Sequence, residues 1–570
     1  MATAQGAKDL GTVVDADVLI LGGGLAGIFA AMAAREQGRD ALIVDKANPE
    51  RSGEAGAGND HFMCQLYTDP TWDTDVDMAE QLPRMRDGFL DPQVALNTVR
   101  YIPHTREILE GLGIKFHRDP ATGGYLRTQA FAAKGPFWMM VESDSAKRLK
   151  PTLVEALRQR GVRILNRVMV TRLLVDSGQI VGATGFGVRT GEFYTFRAKA
   201  VVLTTGNVSR THAEQTTHNP FNIWRSPFNT GDGHAMAWQA GIELEDMGML
   251  GGTLLPKGFG APGVAALVGL GAHLVNALGE RYMFKYSPLG ERAVRNMLVL
   301  GTFKEVQEGR GPCYFDMRHL PPDQIEFLRK DLLAVDRDTY DDFLVQKEID
   351  PAKDPLEHEV GEIAKCYGGI KVSPNLETNI PRVFAAGQCA IADTFPGAVA
   401  SGYLAGTNAA NACQDVQIAT PNEVEVAAER QRVFAPVHRQ DGISPQKFEQ
   451  MIRQVNESYV SIVRNETSLQ AGLSSLRKLG RHVGELKADD LHELMRAHEA
   501  MNLLLCSELI ALFSLERKES RNGAAFYRSD YPETDPNLHG TIVMRQVDGE
   551  IAKRFQPIDP QAFQKMREGQ

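Results

Sequence analysis

Residues 15–46 read DADVLILGGGLAGIFAAMAAREQGRDALIVDK, and the order of apolar and glycine-rich segments here is the strongest structural signal in the chain. An apolar run, a glycine turn, an alanine-rich helical pattern and a second apolar run follow one another. The predicted elements are a strand over 18–21, a helix over 28–35 and a strand over 41–44. Gly22, Gly24 and Gly27 stand at G-x-G-x-x-G spacing. This pattern is typical of a site for the ADP half of a dinucleotide.

Each of these glycines has its own physical task. Gly22 permits a tight turn, Gly24 lets a diphosphate approach the backbone, and Gly27 lets the helix pack closely on the strand. The helix N-terminus adds free N–H groups and a partial positive charge. Asp45 closes the second strand, where a carboxylate accepts hydrogen bonds from ribose hydroxyls and repels a 2′-phosphate. The segment therefore predicts a dinucleotide without a 2′-phosphate.

Length and charge limit the classes of function. The chain has 570 residues, too many for one hydrophobic core, so we expect about two to four domains. A formal net charge of −10 argues against nucleic-acid binding and favours small-molecule or protein partners. No apolar run reaches the length of a membrane span, and MATAQGAKDLGTVV lacks the basic start and apolar core of a signal peptide.

The cysteines and histidines point to no bound metal. Six cysteines are scattered without a C-x-x-C pair, so neither a disulfide framework nor an iron–sulfur cluster is supported. A reducing compartment follows, and we expect the cytoplasm. No residues stand at metal-ligand spacing, so we predict no metal.

Further motifs extend along the chain in a fixed order. They are GGGLAG with Asp45, the RSG loop at 51–53, TTGN, TGDGHAMAWQAG, GERYMFKY, RNMLVLGTFKEVQEGRGPCYFD, PRVFAAGQ and ERKESRNGAAFYRSDYPETDP. With these motifs the chain resembles the flavoprotein subunits of the fumarate reductase/succinate dehydrogenase superfamily over nearly its whole length. The resemblance implies FAD rather than free NAD as the cofactor.

The resemblance also implies the architecture. The expected fold class is α/β: a glutathione-reductase-type FAD-binding Rossmann fold with an inserted α+β capping domain and a C-terminal helical domain. The predicted domains are an FAD-binding domain in two parts, 14–235 and 361–420, a capping (substrate) domain over 236–360, and a C-terminal helical domain and tail over 421–570. We expect the turn-rich tail, from Asn522, to lie across the rest of the protein.

The superfamily's FAD contacts can be placed on this sequence. In the fumarate and succinate enzymes a histidine after the serine of the RSG-like loop carries a covalent flavin bond, and here Gly53 stands there, so we predict noncovalent FAD. The predicted contacts are Gly22, Gly24, Gly27, Asp45, Lys46, Ser52, Gly53, Gly58, Gly206, Asp232, Gly387, Gln388, Ser401 and Gly402.

The dicarboxylate clamp of the fumarate and succinate enzymes is missing. That clamp includes H-P-T-G, R-G-E-G-G and H-G-A-N-R-L segments, whereas this chain has LVGLGAHLVNALGERYM around Tyr282 and FPGAVASGY at 395–403. A dianionic four-carbon acid in a dry site needs opposing cations. We therefore expect neither fumarate nor succinate as the substrate.

Within the superfamily the chain most resembles the adenylylsulfate reductase α subunit. VRNMLVLGTFKEVQEGRGPCYFD is similar to that family's arginine–asparagine helix, FNIWRSP places Trp224 at its active-site tryptophan, and Glu142 falls near its G-E-S-Y-K-P glutamate. Two positions depart. The histidine after S-S-G-S falls at about Ala400, and in place of the asparagine after the RSG loop the chain offers Asn59, Asp60 and His61.

Four side chains are candidates for catalysis, each with a structural alternative. Arg295 binds an anion beside the flavin or forms a salt bridge on a helix surface. Trp224 stacks on flavin or substrate, or fills a core. Glu142 belongs to the site or complements a helix dipole. His61 is a general acid or base, or a structural histidine.

These features predict a soluble FAD oxidoreductase that passes a hydride or electron pair between a small substrate and a separate redox partner. The chain has neither a second dinucleotide fingerprint nor a cluster motif, so the resemblance implies a ferredoxin-like iron–sulfur subunit. Two substrates stay open: adenylylsulfate, interconverted with sulfite and AMP, or a less polar molecule suited to the apolar segment 261–270. A further alternative is a flavin electron-transfer subunit without substrate chemistry.

Overall fold

The computed structural model describes residues 10–59, 61–82, 87–128, 134–213, 215–260, 264–329, 339–391 and 394–569. At its centre lies a seven-stranded sheet. Its strands are β1 Thr12–Leu21, β2 Ala41–Asp45, β6 Arg163–Asn166, β7 Val168–Asp176, β8 Gln179–Gly187, β9 Phe193–Leu203 and β16 Val383–Ala385. The order is β6-β2-β1-β9-β8-β7, and β16 pairs with β9. Strands β6, β2, β1, β9 and β16 are parallel, as the predicted Rossmann fold requires.

Close helix packing sets the geometry of the fingerprint. Helix α1 spans Leu25–Glu36, three residues longer at its start than predicted, because Gly24 serves as its N-cap. A long helix, α11 at Phe395–Ala412, lies against it. A Cβ added at Gly402 would lie 2.2 Å from the Ala26 carbonyl oxygen, so only glycine permits this approach.

A small three-stranded sheet and four helices lie between β2 and β6 in the chain. Residues 92–111 form two consecutive helices, and Pro103 lies in the first turn of the second. The elements are β3 His61–Met63, β4 Arg127–Thr128 and β5 Trp138–Met140, which form one sheet, and α2 Asp75–Gln81, α3 Pro92–Val99, α4 Ile102–Gly111 and α5 Ser143–Gln159.

An α+β cap follows helix α6 at Asp232–Gln239. Its four-stranded sheet has the order β11-β14-β13-β12, formed by β11 Leu250–Pro256, β12 His273–Val275, β13 Cys313–Asp316 and β14 Leu356–Cys366. Its helices are α7 Val264–Gly269, α8 Arg295–Gln307, α9 Pro322–Phe327 and α10 Thr339–Gln346. The chain then returns to the central sheet at β16.

The C-terminal region is helical up to Glu516, and the tail forms strands. The helices are α12 Glu423–Phe434, α13 Pro445–Tyr459, α14 Glu466–Gly480, α15 Leu491–Glu516 and the short α16 Ala562–Glu568; β17 Val463–Arg464 pairs with β18 Tyr527–Arg528. The tail hairpin of β19 Gly540–Val547 and β20 Glu550–Pro557 extends a sheet with β10 Leu244–Glu245 and β15 Gly369–Ile370. The tail thus joins segments that are far apart in sequence, as expected.

Among the described helices, α15 has the length and apolar composition that could cross a membrane, but 67% of its most apolar window is buried inside the protein. That burial is typical of a core helix. All six cysteines are also buried, and each is a free thiol.

Candidate cofactor and substrate site

The three fingerprint glycines differ in their surroundings in the way their predicted tasks require. Gly22 has a φ of +107°, and a Cβ there would lie 2.5 Å from the Thr204 carbonyl oxygen. A Cβ at Gly27 would lie 1.9 Å from the Gly22 oxygen, inside the helix-to-strand contact. At Gly24 the nearest atom would be 4.0 Å away, so its surface is bare. The bare surface at the start of α1 fits a diphosphate.

Asp45 organises the turn that faces this surface. Its Oδ2 accepts hydrogen bonds from the Gly23 N–H at 2.6 Å and the Ser52 hydroxyl at 3.0 Å, and its Oδ1 accepts one from the Ala47 N–H at 2.7 Å. A carboxylate has about four acceptor positions, so one is left for a ribose hydroxyl. The described hydrogen bond of the Ser52 side chain is the one to Asp45, so a direct contact of Ser52 with FAD stays a prediction.

The RSG loop touches the fingerprint. Gly53 has a φ of +73°, and its Cβ position lies 3.6 Å from the Gly24 Cα. Gly58 has a φ of +115° and packs against α5, where a Cβ would lie 2.4 Å from the Ala146 oxygen. Both glycines allow the loop to turn closely beside the dinucleotide site.

Glu54 connects this loop to the segment before α6. The Asn229 amide donates to Glu54 Oε1 at 2.8 Å, and a guanidinium nitrogen of Arg225 lies 3.6 Å from Glu54 Oε2. Asn229 in turn packs on Gly206, where a Cβ would come within 2.9 Å of its amide group. The Arg225 guanidinium lies over the Trp224 ring at 4.2 Å, and Trp224 is 37% exposed.

Lys46 and Asp232, two predicted FAD contacts, bind each other. The Lys46 ammonium lies 2.8 Å from Asp232 and 2.9 Å from Glu499, and it donates to the Thr230 hydroxyl at 2.9 Å. An ammonium has three donors, so the structure uses all of them within the protein. The cofactor role of both side chains stays a prediction.

The second cofactor segment, by which we mean the predicted FAD contacts Gly387, Gln388, Ser401 and Gly402, is held in place by α11. The Ser401 hydroxyl accepts from the Gly387 N–H at 3.0 Å and donates to the Gly397 oxygen at 2.6 Å, so it fixes the turn in which Gly387 has a φ of +71°. Gln388 is half-buried in the same turn. Gly402 packs against α1, and the side of Gly387 that faces α1 is close to Ala26.

Arg295 begins helix α8 and is half-buried. The next residue, Asn296, faces the phenol of Tyr367, whose oxygen lies 3.5 Å from Asn296 Oδ1. Tyr367 is only 4% exposed. Burial raises the pKa of Tyr367, while the positive charges of Arg295 and Arg225 and the hydrogen bond with Asn296 oppose that rise. We call Arg225, Arg295, Asn296 and Tyr367 the Tyr367 site.

The Tyr367 site lies where the chain leaves the cap. Tyr367 follows β14 and precedes two glycines that permit very close contacts: a Cβ at Gly368 would lie 2.1 Å from the Glu245 oxygen, and one at Gly369 would lie 2.3 Å from the Cys389 oxygen. Cys389 ends the turn that begins at Gly387. The residues that follow Tyr367 therefore pack against the turn at Gly387–Cys389.

The other catalytic candidates have structural contacts. His61 stacks on Trp138 with ring centroids 4.1 Å apart, and the Asn59 side chain accepts from the His61 backbone N–H at 3.3 Å. Glu142 is the N-cap residue of α5, which fits the helix-dipole alternative. Asp60 lies outside the described residues. These contacts do not link His61 or Glu142 to Arg295, so their catalytic roles stay predictions.

Sequence reasoning missed Glu54, Arg225, Asn229 and Tyr367. Arg225 directly follows the candidate Trp224, and Tyr367 directly precedes a glycine pair, so both had a local signal. These residues are brought together by contacts between segments at least 71 residues apart, which no local pattern reveals. Among the described residues, no group of three or more His, Cys, Asp or Glu side chains is arranged to hold a metal.

The fold and the bare glycine surface define a dinucleotide-binding protein. Comparison with known families agrees: the FAD binding domain model matches residues 17–403, and a model described as fumarate reductase flavoprotein C-term matches residues 449–568. The chain therefore belongs to the family of FAD-binding flavoproteins related to fumarate reductase and succinate dehydrogenase. It is an FAD-dependent oxidoreductase, and the resemblance and the cofactor predicted from the sequence are confirmed.

The similar proteins cover more than nine-tenths of this chain. A fumarate reductase (CoM/CoB) subunit of Methanothermobacter marburgensis is 29% identical, over 93% of this chain and 97% of that protein. The 8-methylmenaquinol:fumarate reductase flavoprotein subunit of Wolinella succinogenes is 27% identical, over 91% of this chain and 86% of that protein. The structure of adenylylsulfate reductase from Archaeoglobus fulgidus has a TM-score of 0.84 and 24% identity, with 97% of each chain covered.

Replacing Gly24 by alanine should weaken FAD binding and leave the fold intact. A Cβ at Gly24 points at bare surface, so it meets the diphosphate and little of the protein. We expect the free energy of unfolding of the G24A apoprotein to lie within about 1 kcal/mol of the wild-type value. Its FAD binding, measured by flavin fluorescence, should be at least tenfold weaker. G27A is the contrasting control: its Cβ clashes with the backbone, so it should lose stability. Wild-type FAD affinity in G24A would contradict this assignment.

The ion pairs that Glu499 forms with Lys46 and Arg210 should make the free energy of unfolding depend on pH in the acid range. Burial raises the pKa of Glu499, but the positive charges of Lys46 and Arg210 outweigh burial and bring it to about 2. An unfolded glutamate titrates near about 4.3, so this stabilisation is present above that pH and is lost as the pH falls towards 2. E499Q should lower the free energy of unfolding at pH 7 by about 3–5 kcal/mol and flatten its fall below pH 4.5.

The matched control is Glu485, which pairs with His482 at the surface and has a side chain 57% exposed. Such pairs contribute little, so E485Q should follow the wild-type pH profile in denaturant titrations. If E499Q unfolds with the wild-type slope between pH 2.5 and 4.5, Glu499 does not supply the acid dependence.

Proposed function

We propose that this FAD-dependent oxidoreductase acts on a small anionic substrate held at the Tyr367 site and exchanges electrons with a separate iron–sulfur protein. One observation carries the substrate class: two guanidinium groups, from Arg225 and Arg295, act on one buried phenol. Guanidinium groups stay protonated and bind carboxylate or other oxyanions through paired hydrogen bonds. Both positive charges are near enough to the buried phenol to oppose the rise in its pKa, and this local positive charge favours an anion.

Each side chain of the site has a distinct task in this proposal. FAD, when bound, supplies the electron-accepting and electron-donating ring. Arg295 lies at the N-terminus of α8, where the helix dipole adds to its positive charge. Because burial raises the pKa of Tyr367, its phenol keeps its proton, and a substrate oxygen would replace Asn296 Oδ1 as the acceptor of that proton. Glu54 holds Arg225 against the RSG loop, which touches the fingerprint.

The apolar segment 261–270 was the reason for considering a less polar substrate, and the structure gives that alternative little support. Residues 261–263 lie outside the described residues. Leu267, on α7, is 1% exposed and belongs to the main hydrophobic core of the protein. Core packing therefore accounts for this apolar side chain without a substrate.

The anion can be a sulfur oxyanion or a carboxylate. The positions of Trp224 beside Arg225 and of Arg295 before Asn296 favour the first, since these residues also carry the sequence resemblance to adenylylsulfate reductase. Absence of the dicarboxylate clamp disfavours fumarate. Sulfite titration distinguishes the two: loss of visible flavin absorbance followed by AMP-dependent turnover supports the sulfur substrate.

A separate redox partner is proposed because the sequence has one dinucleotide fingerprint and no cluster motif. The similar protein from Wolinella succinogenes is likewise named a flavoprotein subunit. The six free, buried cysteines support a reducing compartment such as the cytoplasm. Rapid reduction by NAD(P)H with no other protein present would contradict a dedicated iron–sulfur partner.

FAD should be bound without a covalent link. Gly53 has no side chain to form one, and its backbone is in the left-handed region that favours glycine. Acid precipitation of purified protein should therefore release all of the flavin into the supernatant. Flavin that stays with the precipitated chain through washing in denaturant would show that another residue forms the bond.

Arg295 and Tyr367 should control turnover without controlling FAD binding. With reduced viologen as donor and the anionic substrate identified by sulfite and carboxylate screening, R295A should lower kcat/KM at least 100-fold, equivalent to about 2.7 kcal/mol. Y367F keeps the packing and loses the donor, so a fall of about tenfold or more is expected. The matched control is R292A, because Arg292 is exposed three residues before Arg295.

The alternative of a non-catalytic flavin subunit makes the opposite prediction. R295A and Y367F would then leave both electron transfer to the partner and FAD content unchanged. A fall in activity equal to a fall in FAD content would also contradict the proposed substrate role, since it would place the defect in cofactor binding.

A further inference from the structure

Lys150 is a buried cation beside the fingerprint turn. It lies on α5, is 1% exposed, and donates a hydrogen bond to the carbonyl oxygen of Gly23. Gly23 stands between the turn glycine Gly22 and the bare Gly24. The Gly23 N–H donates to Asp45, so Lys150 and Asp45 hold the two backbone polar groups of this one residue.

The ammonium group of Lys150 is incompletely used within the part of the chain that the structure describes. Its bond to Gly23 employs one of three donors, and its side chain is in no ion pair there within 4.0 Å. Burial lowers the pKa of Lys150 to about 8, with the Asp45 charge opposing the fall. Burying a charge with so few partners is unfavourable, which points to a ligand that completes its contacts.

We propose that Lys150 is a cofactor-binding cation whose remaining donors bind oxygen atoms of the ADP half of FAD. The position supports this choice: the Gly23 peptide to which Lys150 binds adjoins the bare surface at Gly24, and Asp45, the predicted ribose acceptor, binds the same residue. The oxygens belong either to the diphosphate or to the ribose. This inference rests on FAD as the cofactor and is independent of the Tyr367 site.

A purely structural Lys150 and a cofactor-binding Lys150 predict different stabilities. A structural lysine stabilises the apoprotein, so its removal destabilises that form. A cation that awaits an anion costs free energy when the cofactor is absent, and replacing such groups by apolar ones is neutral or stabilising. K150M should therefore leave the thermal midpoint of the apoprotein unchanged or raised, while the increase produced by FAD becomes smaller.

The experiment removes FAD from the holoprotein and titrates the apoprotein with FAD, ADP and adenosine by calorimetry. K150M should bind FAD and ADP about tenfold more weakly or worse, as expected when a charged hydrogen bond is lost. If adenosine binding is unchanged, the contact is with the diphosphate; if adenosine weakens equally, the contact is with the ribose. R148M is the matched control, because Arg148 is exposed on the same helix.

Wild-type affinity of K150M for FAD and ADP would overturn the proposal. So would a loss of apoprotein stability that accounts for the whole loss of affinity. If K150M does not fold, that result itself assigns Lys150 to the fold unless K150Q, which keeps a donor for Gly23, restores folding with weakened ADP binding. Failure of this test leaves the substrate proposal standing, since R295A and Y367F are measured at unchanged FAD content.

Discussion

The largely buried ammonium of Lys46 joins three parts of the chain that surround the predicted cofactor site. It follows the strand that ends in Asp45, and it binds Asp232 at the start of α6 and Glu499 on α15. Glu499 also accepts from Arg210 at 2.7 Å. Leaving any of these charges buried without its partner is costly, so the central sheet and the helical region are held in a single arrangement.

Glycines provide the second constraint, since the cofactor surface requires backbones closer than side chains allow. Gly27 and Gly402 bring α1 against β1 and α11, while Gly24 stays bare. The distinction explains why identical residues in one motif have different effects when substituted. Closely packed glycines determine the fold, whereas the bare glycine determines what the fold can bind.

The sequence predicted the parts of this protein that depend on local order. The strand, turn and helix at 15–46 and the bare and packed glycines could be inferred because their spacing along the chain directly determines their spacing in the fold. Tyr367 and Lys150 could not. Tyr367 comes near the charges of Arg225 and Arg295 only after the cap has folded, and Lys150 reaches Gly23 from a helix 127 residues later. Likewise, no local pattern shows that the Lys46 ammonium forms an ion pair with Glu499, 453 residues away.

The Tyr367 site draws its two arginines from different sides of the cap boundary. Arg295 begins a cap helix, whereas Arg225 lies before α6 and is tied through Glu54 to the RSG loop. Tyr367 lies at the strand that leaves the cap, held by the close contacts of Gly368 and Gly369. A change in the cap's position would move one guanidinium relative to the other. In the proposed function, selection of the substrate would therefore depend on how the cap is seated, and an anion bound by both arginines would stabilise the seated form by its differential affinity.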